Sequence, residues 1–150
     1  MTLPTNTWVP GQGPRPDDAW LDEVEPAQLI EAGVRLFELG LGFEAHEAWE
    51  RAWHTAKRDG DHDRERMLRA LIRLAAASVK LRQGNLQGVR DHSQGARALL
   101  EALEADAVTE VALVLVGPLL ELARRVETTP PALVPVGRPL LGLIARRTPR

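Results

Sequence analysis

Cysteine and tyrosine are absent from this 150-residue chain, and there are only 2 Phe and 3 Ile. Without cysteine there is no disulfide framework, no thiolate zinc site, no iron–sulfur cluster and no cysteine nucleophile. The absence fits a reducing compartment, and a cytoplasmic location is expected. An excess of one charge sign is also missing. Lys and Arg number 19 against 21 Asp and Glu, a formal net charge of -2. No bulk positive field is available to hold nucleic acid or anionic lipid, so neither partner is expected. Nor does any apolar run reach the roughly 18 residues of a membrane span. The polar, proline-rich stretch from Met1 to Pro16 does not read as a signal peptide.

What fills the apolar fraction is narrow in kind. There are 23 Leu and 20 Ala, together 43 of 66 hydrophobic residues. Both are strong helix formers, while the residues that strands prefer are scarce apart from Val. The length fits one domain, and an all-α fold is expected.

Proline and glycine punctuate the two ends. Pro4, Pro10, Pro14 and Pro16, with Gly11 and Gly13, make residues 1–25 an irregular N-terminal arm. Trp8 and Trp20 in this arm are costly to leave in water, so the arm is expected to dock on the body. Five prolines from Pro130 to Pro149 make residues 127–150 a second irregular arm, with room for one short helix from Arg138 to Arg147. Between them, residues 26–126 read as the helical domain. Helix 1 is expected from Pro26 to about Leu39, with its stop at Gly40. The second runs from about Phe43 to Arg58, the third from Asp63 to Gln83, and the fourth from Leu86 to Ala105. A fifth is placed from Val108 to Val126, kinked at Pro118. Short loops make consecutive helices antiparallel neighbours. The expected architecture is a compact bundle of four to five antiparallel helices, with tetratricopeptide-like turns at Gly40 and Gly84. Residues 111–122 are nearly all apolar, which predicts cover on both sides, by the arms or by the same helix of a second copy. A homodimer is the expected partner.

One stretch can carry chemistry. At about 100° per residue, Phe43, His46, Glu50 and Trp53 fall on one face of helix 2, flanked by Glu47 and His54. His46 and Glu50 stand at i and i+4, so an imidazole nitrogen and a carboxylate oxygen can share a divalent cation such as Zn, Mn or Fe. Glu47 is then a third ligand or a general base. The metalloprotease motif His-Glu-x-x-His is absent, because Glu50 occupies its fifth position. His92 and Asp91 on helix 4 are the candidates for a further ligand; His54 and His62 are less suited. Arg66, Arg69, Arg73 and Lys80 form one stripe on helix 3. If helix 2 packs beside that stripe, Glu47 or Glu50 pairs with Arg69 or Arg73, and the cluster is a structural network. Phe43 and Trp53, with Trp49, then line a core or groove.

The run from Leu29 to Leu103 resembles the small helical proteins grouped as domain of unknown function 309, often labelled metal-dependent hydrolases. The resemblance rests on Phe43-x-x-His46-Glu47-x-x-Glu50-x-x-Trp53. It continues through Leu71-Ile72-x-Leu74-Ala75-Ala76-Ala77 and Lys80-Leu81-x-x-Gly84-Asn85. It departs from the usual pattern at Ala70 and Arg73, where a Gly and a Gln are expected. Two functions follow. One is a binding or assembly module held together by a His46–Glu47–Glu50 polar cluster, with no bound cofactor. The other, implied by the resemblance, is a metal-dependent hydrolase in which His46 and Glu50 hold the ion and Glu47 is the base.

Overall fold

The computed structural model describes residues 3–148. Expectations that fall on Met1, Thr2, Pro149 and Arg150 lie outside these residues. Five helices carry the fold: α1 (Leu29–Glu38), α2 (Gly42–Asp59), α3 (His62–Arg82), α4 (Leu86–Ala105) and α5 (Val116–Thr128). Each packs on the next in sequence, and α3 lies between α2 and α4. The chain is all-α apart from one small hairpin, β1 (Glu110–Val111) with β2 (Val114–Leu115).

The turns explain why the helices begin and end where they do. Gly40, Gly60 and Gly84 all have positive φ, between 71° and 77°. In each turn the residue after the glycine bonds back into the last helical turn: Leu41 N–H to Leu36 O, Asp61 N–H to Ala56 O, Asn85 N–H to Lys80 O. This is the Schellman stop, for which glycine has no steric penalty. At the second and third turns the same residue then starts the next helix. Asp61 accepts from Arg64 N–H and Asn85 from Gly88 N–H, each satisfying an orphan donor. Reversals of two or three residues therefore turn α1, α2, α3 and α4 back against one another.

The core is built from Leu and Ala, as the composition predicts. Leu68, Leu71 and Leu74 of α3 and Leu100 and Leu103 of α4 are fully buried. Trp49 is fully buried too, and its indole N–H donates to Ile30 O at 3.0 Å. Gly33 permits this. A Cβ there would lie 2.2 Å from Trp49 Nε1, so α1 and α2 meet backbone against ring.

The expected fifth helix is corrected. Residues 108–126 are not one helix. Ala107 leaves α4 with φ 62°, and Ala112 and Leu113 form the two-residue hairpin turn with φ 49° and 69°. Two consecutive positive φ values are the type I′ geometry that fits strand twist. Three non-glycine residues here take the left-handed region at about 1–2 kcal/mol each, so no glycine marks the turn in the sequence. Pro118 sits in the first turn of α5, where its missing N–H is not needed; it opens the helix rather than kinking it. The apolar residues from Val111 to Leu122 are covered within one chain. Val111, Val114, Val116, Leu119, Leu120 and Leu122 all belong to the shared core, so no second copy is needed to explain them.

Nor is there a helix from Arg138 to Arg147. Pro139 and Gly142, the latter with φ 149°, sit in an extended tail. Its outer residues pair with the hairpin, Leu115 N–H donating to Ala145 O and Arg147 N–H to Leu113 O. Glu38 of α1 ties it down, accepting from Ile144 N–H and from Arg146. No helix among the described residues is long and apolar enough to cross a membrane.

Candidate functional site

Helix α2 positions the cluster. His46 Nδ1 lies 3.3 Å from Glu50 Oε2, and His54 Nε2 lies 4.0 Å from Glu50 Oε1. Glu47 accepts from Arg15 Nη2 at 3.0 Å. One ligand atom each from His46, Glu47 and Glu50 can be chosen so that all lie within 4.8 Å of one another, and the three side chains are half-buried. The i, i+4 spacing brings His46 to Glu50; Glu47, one residue along, sits on the edge nearer the N-terminal arm.

The expected partners from α3 do not reach this cluster. Arg69 bonds Glu65 one turn back at 2.6 Å, and Arg73 bonds His92 Nδ1 of α4 at 3.1 Å. Both arginines are exposed, and nearer acceptors on α3 and α4 capture them. Gly95 makes room for Arg73, since a Cβ there would stand 2.6 Å from its Nε. Arg66 joins Asp63 and Asp106. His92 is therefore engaged by Arg73 and stands outside the three-residue cluster. Burial, followed by the charges of Arg73 and Lys80, holds the His92 imidazole below its ordinary pKa, against the opposing charge of Asp91. Asp91 accepts from Gln87, and His62 is exposed at the start of α3. Trp53 is partly buried against the core, with Lys57 Nζ 5.0 Å from its ring centre.

The N-terminal arm lies on the other edge of α2. Trp8 meets Phe43 edge-on at 4.8 Å between ring centres, and its backbone N–H donates to Glu44 Oε2 at 3.0 Å. Arg15 stands 5.4 Å from the Phe43 ring centre. Trp20 packs partly buried against the core. Glu44 is 5% exposed, and its Oε1 has no well-formed hydrogen bond. Burial raises the pKa of Glu44, while the Thr7 hydroxyl and the Trp8 amide work in the opposite direction. Glu44 and Arg15 carried no signal in the sequence. A glutamate in the first turn of a helix reads as an ordinary dipole partner, and Arg15 lies 32 residues from Glu47.

One sizeable cavity borders α2 and another borders α1. One, of about 480 Å³, is walled by the arm and by Phe43, Glu44 and Glu47. The other, of about 600 Å³, lies between α1, the hairpin and the tail and contains Arg64, Arg146 and Arg147. Each of these three already has a carboxylate partner, Asp61, Glu31 and Glu110 respectively.

Neither a curated protein nor a solved structure matches the chain. Residues 30–91, most of α1, all of α2 and α3 and the first turns of α4, match the model of the family described as Domain of unknown function (DUF309), and it is this segment, with the His46–Glu47–Glu50 cluster inside it, that resembles the family.

Proposed function

We propose that the chain is a helical binding module in which His46, Glu47 and Glu50 take one divalent cation. The observation that carries this reading is the convergence of their ligand atoms to within 4.8 Å, while Arg69 and Arg73 are engaged elsewhere. A cluster serving only to fasten helices ties its carboxylates to donors on neighbouring elements. Glu47 is tied in this way, to Arg15 of the arm, but Glu50 faces two imidazoles of its own helix. One imidazole nitrogen and two carboxylate oxygens suit Zn, Mn or Fe. Bonds of about 2.1 Å place adjacent ligand atoms roughly 3.0–3.4 Å apart. The spread of up to 4.8 Å has to close to that separation on binding. Glu47 exchanges Arg15 for the ion, and three ligands from one helix leave further positions open.

A second reading is favoured by one observation: Glu47 belongs both to the cluster and to the wall of the 480 Å³ cavity. In this reading the protein is a metal-dependent hydrolase. His46 and Glu50 hold the ion and Glu47 accepts a proton from water. The ion, when bound, supplies acidification of that water.

The test is metal content of the untagged protein by mass spectrometry, with Mn²⁺ and Zn²⁺ titrations. About one equivalent is expected, with affinity falling at least about tenfold in His46→Ala and in Glu50→Gln. In the same series Glu47→Gln separates the readings: a ligand loses metal on substitution, whereas a base keeps it. Absence of bound metal, or unchanged affinity in both ligand variants, returns the cluster to helix-packing chemistry.

A further inference from the structure

The cavity of about 600 Å³ between α1, the hairpin and the tail has a basic and aliphatic wall. Arg64, Arg146 and Arg147 line it against a single acid, Glu31, and no aromatic ring is among its lining residues. Its larger apolar residues are Ile30, Leu113, Val114 and Ile144. None of His46, Glu47 and Glu50 lines it. Paired arginines are common on protein surfaces and need no ligand. Two further observations set these apart.

The first is how unevenly the three are engaged. Arg146 fastens the tail, with Nη1 donating to Glu31 at 2.6 Å and Nη2 to Glu38 at 3.3 Å. Arg147 gives only Nε, which meets the two oxygens of Glu110 at 2.8 and 3.0 Å. Arg64 approaches Asp61 through Nε at 3.5 Å, an ionic contact without a side-chain hydrogen bond. Among the described residues, the Nη ends of Arg64 and Arg147 meet no acceptor. Such a guanidinium fork matches the oxygens of a carboxylate or a phosphate. The second observation is the hairpin turn. Type I′ turns are usually Asn-Gly or Asp-Gly, which tolerate positive φ. Here Ala112 and Leu113 adopt it, at 49° and 69°, and both line the cavity. The strained turn thus sets two apolar side chains in the wall, where the usual sequence would leave a polar side chain and a bare glycine. Backbone strain of this kind gathers at ligand sites.

We propose that this cavity binds a small aliphatic oxyanion, a carboxylate or a phosphate monoester carried on an uncharged aliphatic chain. The head is taken by the Nη ends of Arg64 and Arg147, and Arg146 adds positive charge to the same wall. The chain lies along Leu113 and the apolar residues beside it. The volume falls within the range of small-molecule sites, about 300–1,000 Å³. Three arginines against one acid disfavour cations. A nucleotide base would find no aromatic face on which to stack. The site shares no residue with the cluster on α2, so the two are tested separately.

The experiment is isothermal titration of the full chain with octanoate and with octyl phosphate, in chelator and physiological salt. Acetate removes the chain, and octylammonium reverses the charge. One-to-one binding of octanoate or octyl phosphate is expected, and the tighter of the two names the head group. Acetate and octylammonium are each expected to bind at least about tenfold more weakly. Arg64→Gln and Arg147→Gln are each expected to weaken the tighter probe about tenfold, as loss of a charged hydrogen bond does. Circular dichroism reports whether these variants stay folded. The pair Ala112→Asn with Leu113→Gly gives the turn its usual sequence. Its thermal midpoint is therefore expected to hold while binding weakens severalfold, an outcome that a purely structural turn would not produce. Arg90→Gln, at an exposed arginine of α4, controls for diffuse attraction. Absence of saturable one-to-one binding by both probes overturns the proposal. So does octylammonium binding as tightly as the anions. Equal weakening by Arg90→Gln overturns it too, as does native affinity in the turn variant.

Discussion

His92 shows how a single side chain reads its surroundings. An arginine N–H at its Nδ1 requires that nitrogen to be unprotonated, which places the ring proton on Nε2. Burial and the nearby positive charges of Arg73 and Lys80 favour the same neutral state. The folded chain therefore takes up this proton at lower pH than the unfolded chain, whose histidine titrates near about 6.5. The stabilisation is complete above that value and is lost as pH falls from there through the folded pKa. His92→Gln is expected to reduce the slope of the urea midpoint against pH between about 5 and 7. A variant with the native slope would show that His92 is not held neutral. Glu65 is a contrast: burial acts to raise its pKa, but the Arg69 bond and neighbouring charges leave it lowered.

Among the elements, the α1–α2 contact is the least tolerant. Gly→Ala on an exposed helix stabilises by about 0.5–1 kcal/mol, because alanine is the better helix former. At Gly33 the sign reverses. The new methyl would stand 2.2 Å from Trp49 Nε1, forcing the ring off its bond to Ile30 O. Gly33→Ala is expected to lower stability by about 1–3 kcal/mol in chemical denaturation. A gain in stability would mean that α1 shifts freely on α2. The helix turns between α2, α3 and α4 are more self-sufficient, since Gly60–Asp61 and Gly84–Asn85 each close one helix and cap the next. By contrast, the hairpin after α4 depends on the tail, whose Arg147 N–H bonds the carbonyl of the strained Leu113.

At the scale of the whole molecule, two proline-rich segments are fastened to the helices by a few long-range polar contacts. The N-terminal one is held through Trp8 on Glu44 and Arg15 on Glu47. The C-terminal one is held through Glu38, which accepts from Ile144 N–H at 2.9 Å and from Arg146 at 3.3 Å. Arg82 adds to this second attachment by donating to Val134 O. Glu38→Ala is expected to lower stability by about 1–3 kcal/mol. Amide exchange should accelerate over residues 144–147 while α3 and α4 keep native protection. Uniform acceleration across the helices would instead place Glu38 within the cooperative core.

The sequence by itself determined whatever depends on near neighbours. Leu and Ala content with glycine stops predicted α2, α3 and α4 to within a residue or so, because Schellman stops and side-chain caps are made within one turn. His46 and Glu50 were legible together for the same reason: i and i+4 share a helix face. Tertiary structure decided what those groups meet. Arg73 could reach either the acids of α2 or His92 of α4, and the stripe alone did not choose between them. Packing of α3 between its neighbours, with the space at Gly95, gave Arg73 to His92. The hairpin at 110–115 was hidden because Ala107, Ala112 and Leu113 adopt positive φ without a glycine, and partners about 30 residues downstream complete its pairing. Glu44 became a buried carboxylate only when the arm, some 36 residues upstream at Trp8, folded over it. Contacts between residues so far apart leave no period in a sequence, since the loop entropy they must overcome is met only when the whole core forms.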